Sequence, residues 1–286
     1  MIMNKKIVTT YLYVLFLVSF STGPVSGFEL IPSQGVGMGN TFILSYPKAT
    51  TLVNVPAGGL PDGNWQLEAG FNRRFELSDL DQVFLVGAAR RGKITAAVGL
   101  SQFGKRDLYK ELTGKLTVAY QYDSLSLGLS FSGLGVYLGG GYGRFSTQTV
   151  GLGIAYRYGN YFAAFVADNL TTPQLYDKAV AFNSFYSLYA EIIGIGKHSL
   201  TAKVTWEKYQ KPRFGFGQKL YLARQGAFFW GLGTEPLEYG GGIEFYFQKW
   251  GLSYATSYHP VLDFSHTISF SYGFHRPVER KKDGFK

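Results

Sequence analysis

The chain contains no cysteine. That excludes disulfide frameworks, thiolate zinc sites, iron–sulfur clusters and cysteine nucleophiles. It also excludes a lipoprotein anchor, which needs a cysteine at its processing site. Charge is scarce. Asp, Glu, Lys and Arg make up 16% of the 286 residues, against about 25% in an ordinary soluble domain. Beyond the N-terminus no apolar run approaches the roughly 18 residues of a membrane helix, and mean hydropathy is only −0.01, so a helical membrane bundle is excluded. What is present in quantity is Tyr (21), Phe (24) and Gly (37). Little charge, neutral hydropathy and many aromatics suit a transmembrane β-barrel, whose apolar and small polar residues alternate and cancel in the mean. The net charge of +9 comes from scattered basic residues rather than a cluster, which favours anionic lipid surfaces over nucleic acid.

The first 27 residues read as a secretory signal peptide. Lys5 and Lys6 form a positive start, Ile7 to Phe20 an apolar stretch, and Val25-Ser26-Gly27 a small-residue cleavage site after Gly27. Pro24 ends the apolar stretch, which is short for a span. The implied location is the outer membrane, reached by export.

From residue 64 onward the sequence alternates with period two. Leu125, Leu127, Leu129 and Phe131 share one face, Ser126, Gly128, Ser130 and Ser132 the other. Near the end Ile268, Phe270 and Tyr272 oppose Thr267, Ser269 and Ser271. Such alternation means strands with one apolar and one polar face. It predicts strands at 64–75, 81–90, 94–103, 113–123, 124–132, 147–158, 161–168, 184–193, 198–208, 213–223, 227–234, 239–248, 250–258 and 266–275, about 14 in all and close to the length of tilted membrane strands. Short connections (Arg91-Gly92-Lys93, Asp123-Ser124, Gly159-Asn160, Gly194 to Lys197, Arg224 to Gly226, Lys249) take turns with longer ones (Glu76 to Leu80, Gly104 to Leu112, Gly133 to Ser146, Asn169 to Asn183, Tyr209 to Pro212, Glu235 to Glu238, His259 to Ser265). An up-and-down antiparallel barrel with short periplasmic turns has this phase. The fold class is therefore all-β, a transmembrane barrel over 64–275 followed by a basic tail, 276–286.

Chemistry is sparse. No two of His198, His259, His266 and His275 stand at metal-ligand spacing, and no cofactor motif is present. Asp263, Ser265 and His266 are neighbours in a loop, where Ser and Asp usually shape turns, so no catalytic residues are assigned. Gly139-Gly140-Gly141-Tyr142-Gly143 lacks the Lys-Ser/Thr of a phosphate loop and reads as a flexible outer loop. Alternation turns Glu68, Asn72, Arg157, Glu191, Lys203, Glu207, Lys219 and Glu244 into the lumen, to solvate it or to hold a plug. Inward Gly70, Gly99, Gly128, Gly151, Gly153, Gly217 and Gly242 leave room for a plug or ligand, or permit kinks. Tyr120, Tyr122, Tyr156, Tyr158, Tyr161, Tyr254 and Tyr258 sit near strand ends, as interfacial girdles or through β-propensity alone.

Residues 28–63 are rich in glycine and apolar residues and carry Pro32, Pro47, Pro56 and Pro61, which resist regular structure. A barrel of about 14 strands is too wide for its own side chains to fill. Irregular backbone is tolerated at membrane depth when protein surrounds it, so this stretch reads as a hatch segment, with a periplasmic leader as the alternative.

The run Gly35-Val36-Gly37-Met38-Gly39-Asn40-Thr41 followed by Asn54-Val55-Pro56-Ala57-Gly58-Gly59-Leu60 resembles the N-terminal signature of the FadL-like outer-membrane transporters and the related PorV/PorQ group, with Val55 and Gly59 as insertions. The stretch Ser257-Tyr258-His259-Pro260 through His266 to Phe274 is similar to the end of PorV/PorQ-type proteins, and a last strand closing on Phe274 resembles the signal read by the barrel assembly machinery. The resemblance implies a 14-stranded barrel and a hatch involving Gly37, Met38, Gly39, Asn54, Pro56 and Ala57. It further implies release by hatch movement or a lateral opening. The function it implies is a channel for small hydrophobic compounds across the outer membrane. The alternative is a PorV-like barrel that binds or shuttles exported protein cargo with secretion-system proteins. Outer-membrane lipids or lipopolysaccharide, the assembly machinery and a hydrophobic small molecule are the expected partners. Neither nucleic acid nor enzymatic activity is expected.

Overall fold

The computed structural model describes residues 30–59, 65–105, 109–140, 143–172, 174–175, 180–194, 198–223 and 225–273. The signal peptide, Phe274 and the basic tail lie outside the described residues. Fourteen antiparallel strands close into one barrel: β1 (Trp65–Arg73), β2 (Asp81–Arg91), β3 (Ile94–Lys105), β4 (Tyr109–Tyr122), β5 (Leu125–Leu138), β6 (Gly143–Tyr158), β7 (Tyr161–Asp168), β10 (Phe185–Ile193), β11 (His198–Glu207), β12 (Arg213–Ala223), β13 (Gly226–Gly233), β14 (Glu238–Phe247), β15 (Trp250–His259) and β16 (Asp263–Tyr272). A small pair, β8 (Gln174–Leu175) and β9 (Val180–Ala181), sits in the connection after β7. β1 seals the cylinder against β16, from Leu67 opposite Tyr272 to Arg73 opposite His266.

The period-two pattern decides which face is which. On β5, Leu129 is 61% exposed on the outside while Ser132 is fully buried inside, a greasy exterior around a partly polar lumen. Closure satisfies the backbone groups that lipid cannot. Short turns begin on a left-handed residue (Gly92, Asp123, Gly159, Gln248), which the primed two-residue hairpins favour. Beside these turns Tyr122, Tyr156, Tyr158 and Tyr161 face outward. Trp65, Trp250 and Tyr272 cluster there too, with ring centroids of Trp250 and Tyr272 4.1 Å apart. Tyr258 packs on Phe264 at the opposite rim.

Three sequence-based expectations need correction. Gly133 to Ser146 is not a long loop: β5 continues to Leu138 and β6 begins at Gly143, leaving 139–142 as the connection. Glycine looks like loop in a sequence, yet a ladder between antiparallel backbones does not need side chains. Likewise Gly104 to Leu112 is mostly strand, since β3 reaches Lys105 and β4 starts at Tyr109. The last strand starts at Asp263 and ends at Tyr272 rather than at 275. The long–short phase survives with smaller contrast. The wall is therefore uneven, with 14 residues in β4 and in β5 and 16 in β6, but 8 in β7 and in β13.

Candidate functional site

Residues 30–59 lie inside the cylinder. They carry two short helices, α1 (Ser33–Gly37) and α2 (Ala49–Asn54). Their apolar side chains complete small cores with the wall: Leu30, Leu52 and Val53 with Phe84 and Val86, Met38 and Ile43 with Phe229 and Ala255, Phe42 and Val55 with Val166 and Tyr189. The helices are too short to stand alone, so burial against the wall holds them. Past the C-cap Met38 of α1 come Gly39 and Asn40, both left-handed.

Glycines in the wall allow main chain to approach main chain. On the low side of the wall, β12 to β14, a Cβ on Gly231 would meet the Met38 carbonyl carbon at 2.4 Å, and one on Gly240 the Val36 oxygen at 2.4 Å. On the tall side, β4 to β6, a Cβ on Gly128 would meet the Pro56 oxygen at 2.1 Å, and one on Gly153 the Ala57 nitrogen at 2.8 Å. Gly217 is filled by Thr41 and Met38, and Gly99 by Leu30 and Val53. Gly70 and Gly242 instead admit the rings of Phe84 and Phe229, and Gly151 admits Asp168.

Three carboxylates of the wall, near its short-turn ends, hold the inner segment. Glu68 accepts from the Thr50 amide at 3.1 Å and hydroxyl at 2.6 Å, at the N-terminal end of α2, where a carboxylate is favoured. Glu191 accepts from the amides of Leu44 (2.6 Å) and Ser45 (2.9 Å) and from the Ser45 hydroxyl (2.5 Å). Glu244 pairs with Lys48 of the segment and with Lys219 of β12 (2.5 Å), and accepts from the Tyr246 hydroxyl at 2.9 Å. Each carboxylate is 1% exposed. Charges so buried are tolerable only when paired and hydrogen-bonded. Hydroxyls add to this. Ser33 meets Ser253 at 2.5 Å, and Thr201 donates to the Phe42 carbonyl at 3.2 Å. Asn54 donates to Leu30 at 2.6 Å, tying the ends of the segment together.

The remaining lumen residues named from the sequence lie elsewhere. Asn72 is buried on β1. The Lys203 ammonium stands 5.2 Å from the Tyr189 ring centroid. Glu207 accepts from Asn183 at 3.2 Å, near Arg213. Arg157 is exposed at the short-turn mouth, 4.9 Å from the Phe162 ring centroid. Of the named segment residues, Gly37, Met38 and Gly39 lie on the low side, Pro56 and Ala57 on the tall side, and Asn54 bridges to Leu30. Sequence reasoning missed Lys48, Ser45 and Thr50, and the buried pair Lys115–Asp168 at 2.6 Å. Lys48 carried a signal, being the one lysine or arginine in 28–63.

Two further features flank the segment on the tall side. Beneath it, a cavity of 260 Å³ lies between Val55, Ala57 and Gly59 and the wall residues Arg90, Gln121, Ser126, Arg157 and Phe162. Toward the longer connections, Leu134 and Val136 turn inward and are buried with Leu138, Phe145 and Phe182. No group of metal-ligating side chains occurs among the described residues. Ser265 points inward and accepts from the Phe75 amide, whereas His266 points outward to Tyr254. The two cannot share a reacting atom.

No protein-family model matches this chain, and no curated protein matches it. Solved structures do. The Ralstonia pickettii toluene transporter TbuX aligns with a TM-score of 0.66 at 12% identity, over 87% of this chain and 99% of that one. The Pseudomonas putida toluene transporter TodX aligns with a TM-score of 0.64 at 12% identity, over 87% and 100%. A TodX variant described as a monoaromatic hydrocarbon channel aligns at 0.66 and 11%, over 88% and 100%. The PorV/PorQ side of the sequence resemblance receives no support from these structures. At such identity the likeness is one of fold, that of a closed antiparallel barrel.

Proposed function

We propose that this chain is an outer-membrane channel for small apolar compounds, with residues 30–59 as its hatch and the short turns toward the periplasm. The observation that carries this reading is the inward apolar cluster of Leu134, Val136, Leu138, Phe145 and Phe182. A general aqueous pore has a polar lumen. A site for apolar compounds is apolar, with a few polar groups. The likeness to toluene transporters points the same way.

The proposed route follows β5 and β6. A compound first desolvates against the outer cluster. Its barrier is the contact of Pro56 and Ala57 with Gly128 and Gly153, and beyond it lies the 260 Å³ cavity. Motion of 55–59 alone opens this route, while Glu191, Glu244 and Ser253 keep the rest of the segment seated. The test is uptake of a radiolabelled monoaromatic hydrocarbon by cells producing the full chain. The double variant Leu134→Asp/Val136→Asp should lower uptake about tenfold or more, since charge in the route costs several kcal/mol. Heat-modifiable gel migration confirms folding. Undiminished uptake by the folded variant would refute the route.

A further inference from the structure

A second binding feature lies outside the lumen, on the lipid-facing side of β2 to β5. Facing outward there, the cross-strand rows read Leu85, Leu100, Gly114, Gly133 and then Val83, Gln102, Leu112, Gly135. Between them lies an open groove of 520 Å³ whose lining includes Val83, Leu85, Leu100, Leu112 and Gly114. It continues over β5, where a Cβ on Gly133 would meet nothing within 4 Å. Neighbouring rows carry full side chains: Leu116 and Phe131 stand next to it on the short-turn side.

Toward the longer connections, beyond the row of Leu112 and Gly135, the next outward row reads Gly104, Lys110, Tyr137, Arg144. Two cations thus stand on either side of a tyrosine at the rim above the groove. Neither Lys110 nor Arg144 has an ion-pair partner among the described residues. An apolar groove alone accepts any acyl chain. One capped by two basic side chains at headgroup height selects an anionic lipid, since each such residue attracts the headgroup charge while its stem follows the apolar surface.

We propose that this groove binds a phosphorylated, acylated glycolipid of the outer leaflet. One acyl chain lies along Leu100, Gly114 and Gly133, and a phosphate sits between Lys110 and Arg144. This rests on the outer-membrane reading above, which places the longer connections, and so this rim, in the leaflet built of such glycolipid. The glycines then have a function that strand formation does not give them.

The test uses the full chain in detergent, titrated with bisphosphorylated lipid A and followed by native mass spectrometry. One lipid A per chain should be retained. The double variant Lys110→Glu/Arg144→Glu should bind at least about tenfold more weakly. Gly133→Leu, whose Cβ would meet nothing within 4 Å, should do the same by filling the groove. Phosphatidylglycerol should bind about tenfold more weakly than lipid A. Equal binding by wild type and both folded variants would overturn the site, and equal affinity for phosphatidylglycerol would overturn the glycolipid as its occupant. Hydrocarbon uptake by Lys110→Glu/Arg144→Glu should stay at the wild-type level because the groove lies outside the lumen, so failure of the channel reading shows separately.

Discussion

The low and tall sides of the wall treat the inner segment differently. Along β12 to β14, glycines bring Val36 to Gly39 against the wall main chain to main chain, and Glu244, which also pairs with Lys219, fixes Lys48 nearby. Along β5 and β6 the segment touches the wall at Pro56 and Ala57. Those strands then rise past it and turn Leu134 and Val136 inward. One side carries the charged anchor and the other an apolar cluster, the surface along which the proposed route runs. On the proposed reading, a hatch hinged this way would open without breaking its buried ion pairs, whose rupture costs more than separating a few apolar contacts.

Deleting 30–59 erases both sides at once and carries the largest expected effect. Single-channel conductance in planar bilayers should rise by about an order of magnitude, because a cylinder this wide is not filled by its own side chains. Unchanged conductance would mean that the segment does not block the lumen. Next is Glu244→Leu, which leaves Lys48 and Lys219 buried without their carboxylate. It should cost about 3–5 kcal/mol, read as a lower urea midpoint in detergent, and should also release the low side to added protease. A midpoint equal to wild type would show that the anchor does not lie there. Gly128→Val acts on the tall side, where a Cβ would collide with the Pro56 carbonyl. Overpacking of this kind costs about 1–3 kcal/mol, and small-solute leak should appear with the ion pairs intact. A tight, unleaky variant would place the barrier elsewhere.

The barrel was legible because its pattern is local. Alternation fixes the face of each residue, so Glu68, Glu191, Lys219 and Glu244 could be placed inside from parity alone. The tops of β5 and β6 were not legible, since Gly133, Gly135 and Gly139 to Gly143 give no alternation to read. Partner identity was hidden for another reason. Lys48 meets Glu244 through closure of the whole cylinder, and Pro56 meets Gly128 through the path of an irregular segment. Neither spacing has a periodic signature.

A disulfide across the proposed barrier tests the hatch most directly, and the cysteine-free chain makes it clean. A Cβ at Gly153 would stand 2.8 Å from the Ala57 nitrogen and 3.2 Å from the Ala57 Cβ, so a shift of a few tenths of an ångström in 55–59 relieves the contact and brings the pair into the usual disulfide range. In cells producing Ala57→Cys/Gly153→Cys, hydrocarbon uptake should stop when the disulfide forms and return when reductant cleaves it. Equal uptake in both states, with the disulfide shown to be complete, would contradict a hatch that opens on this side.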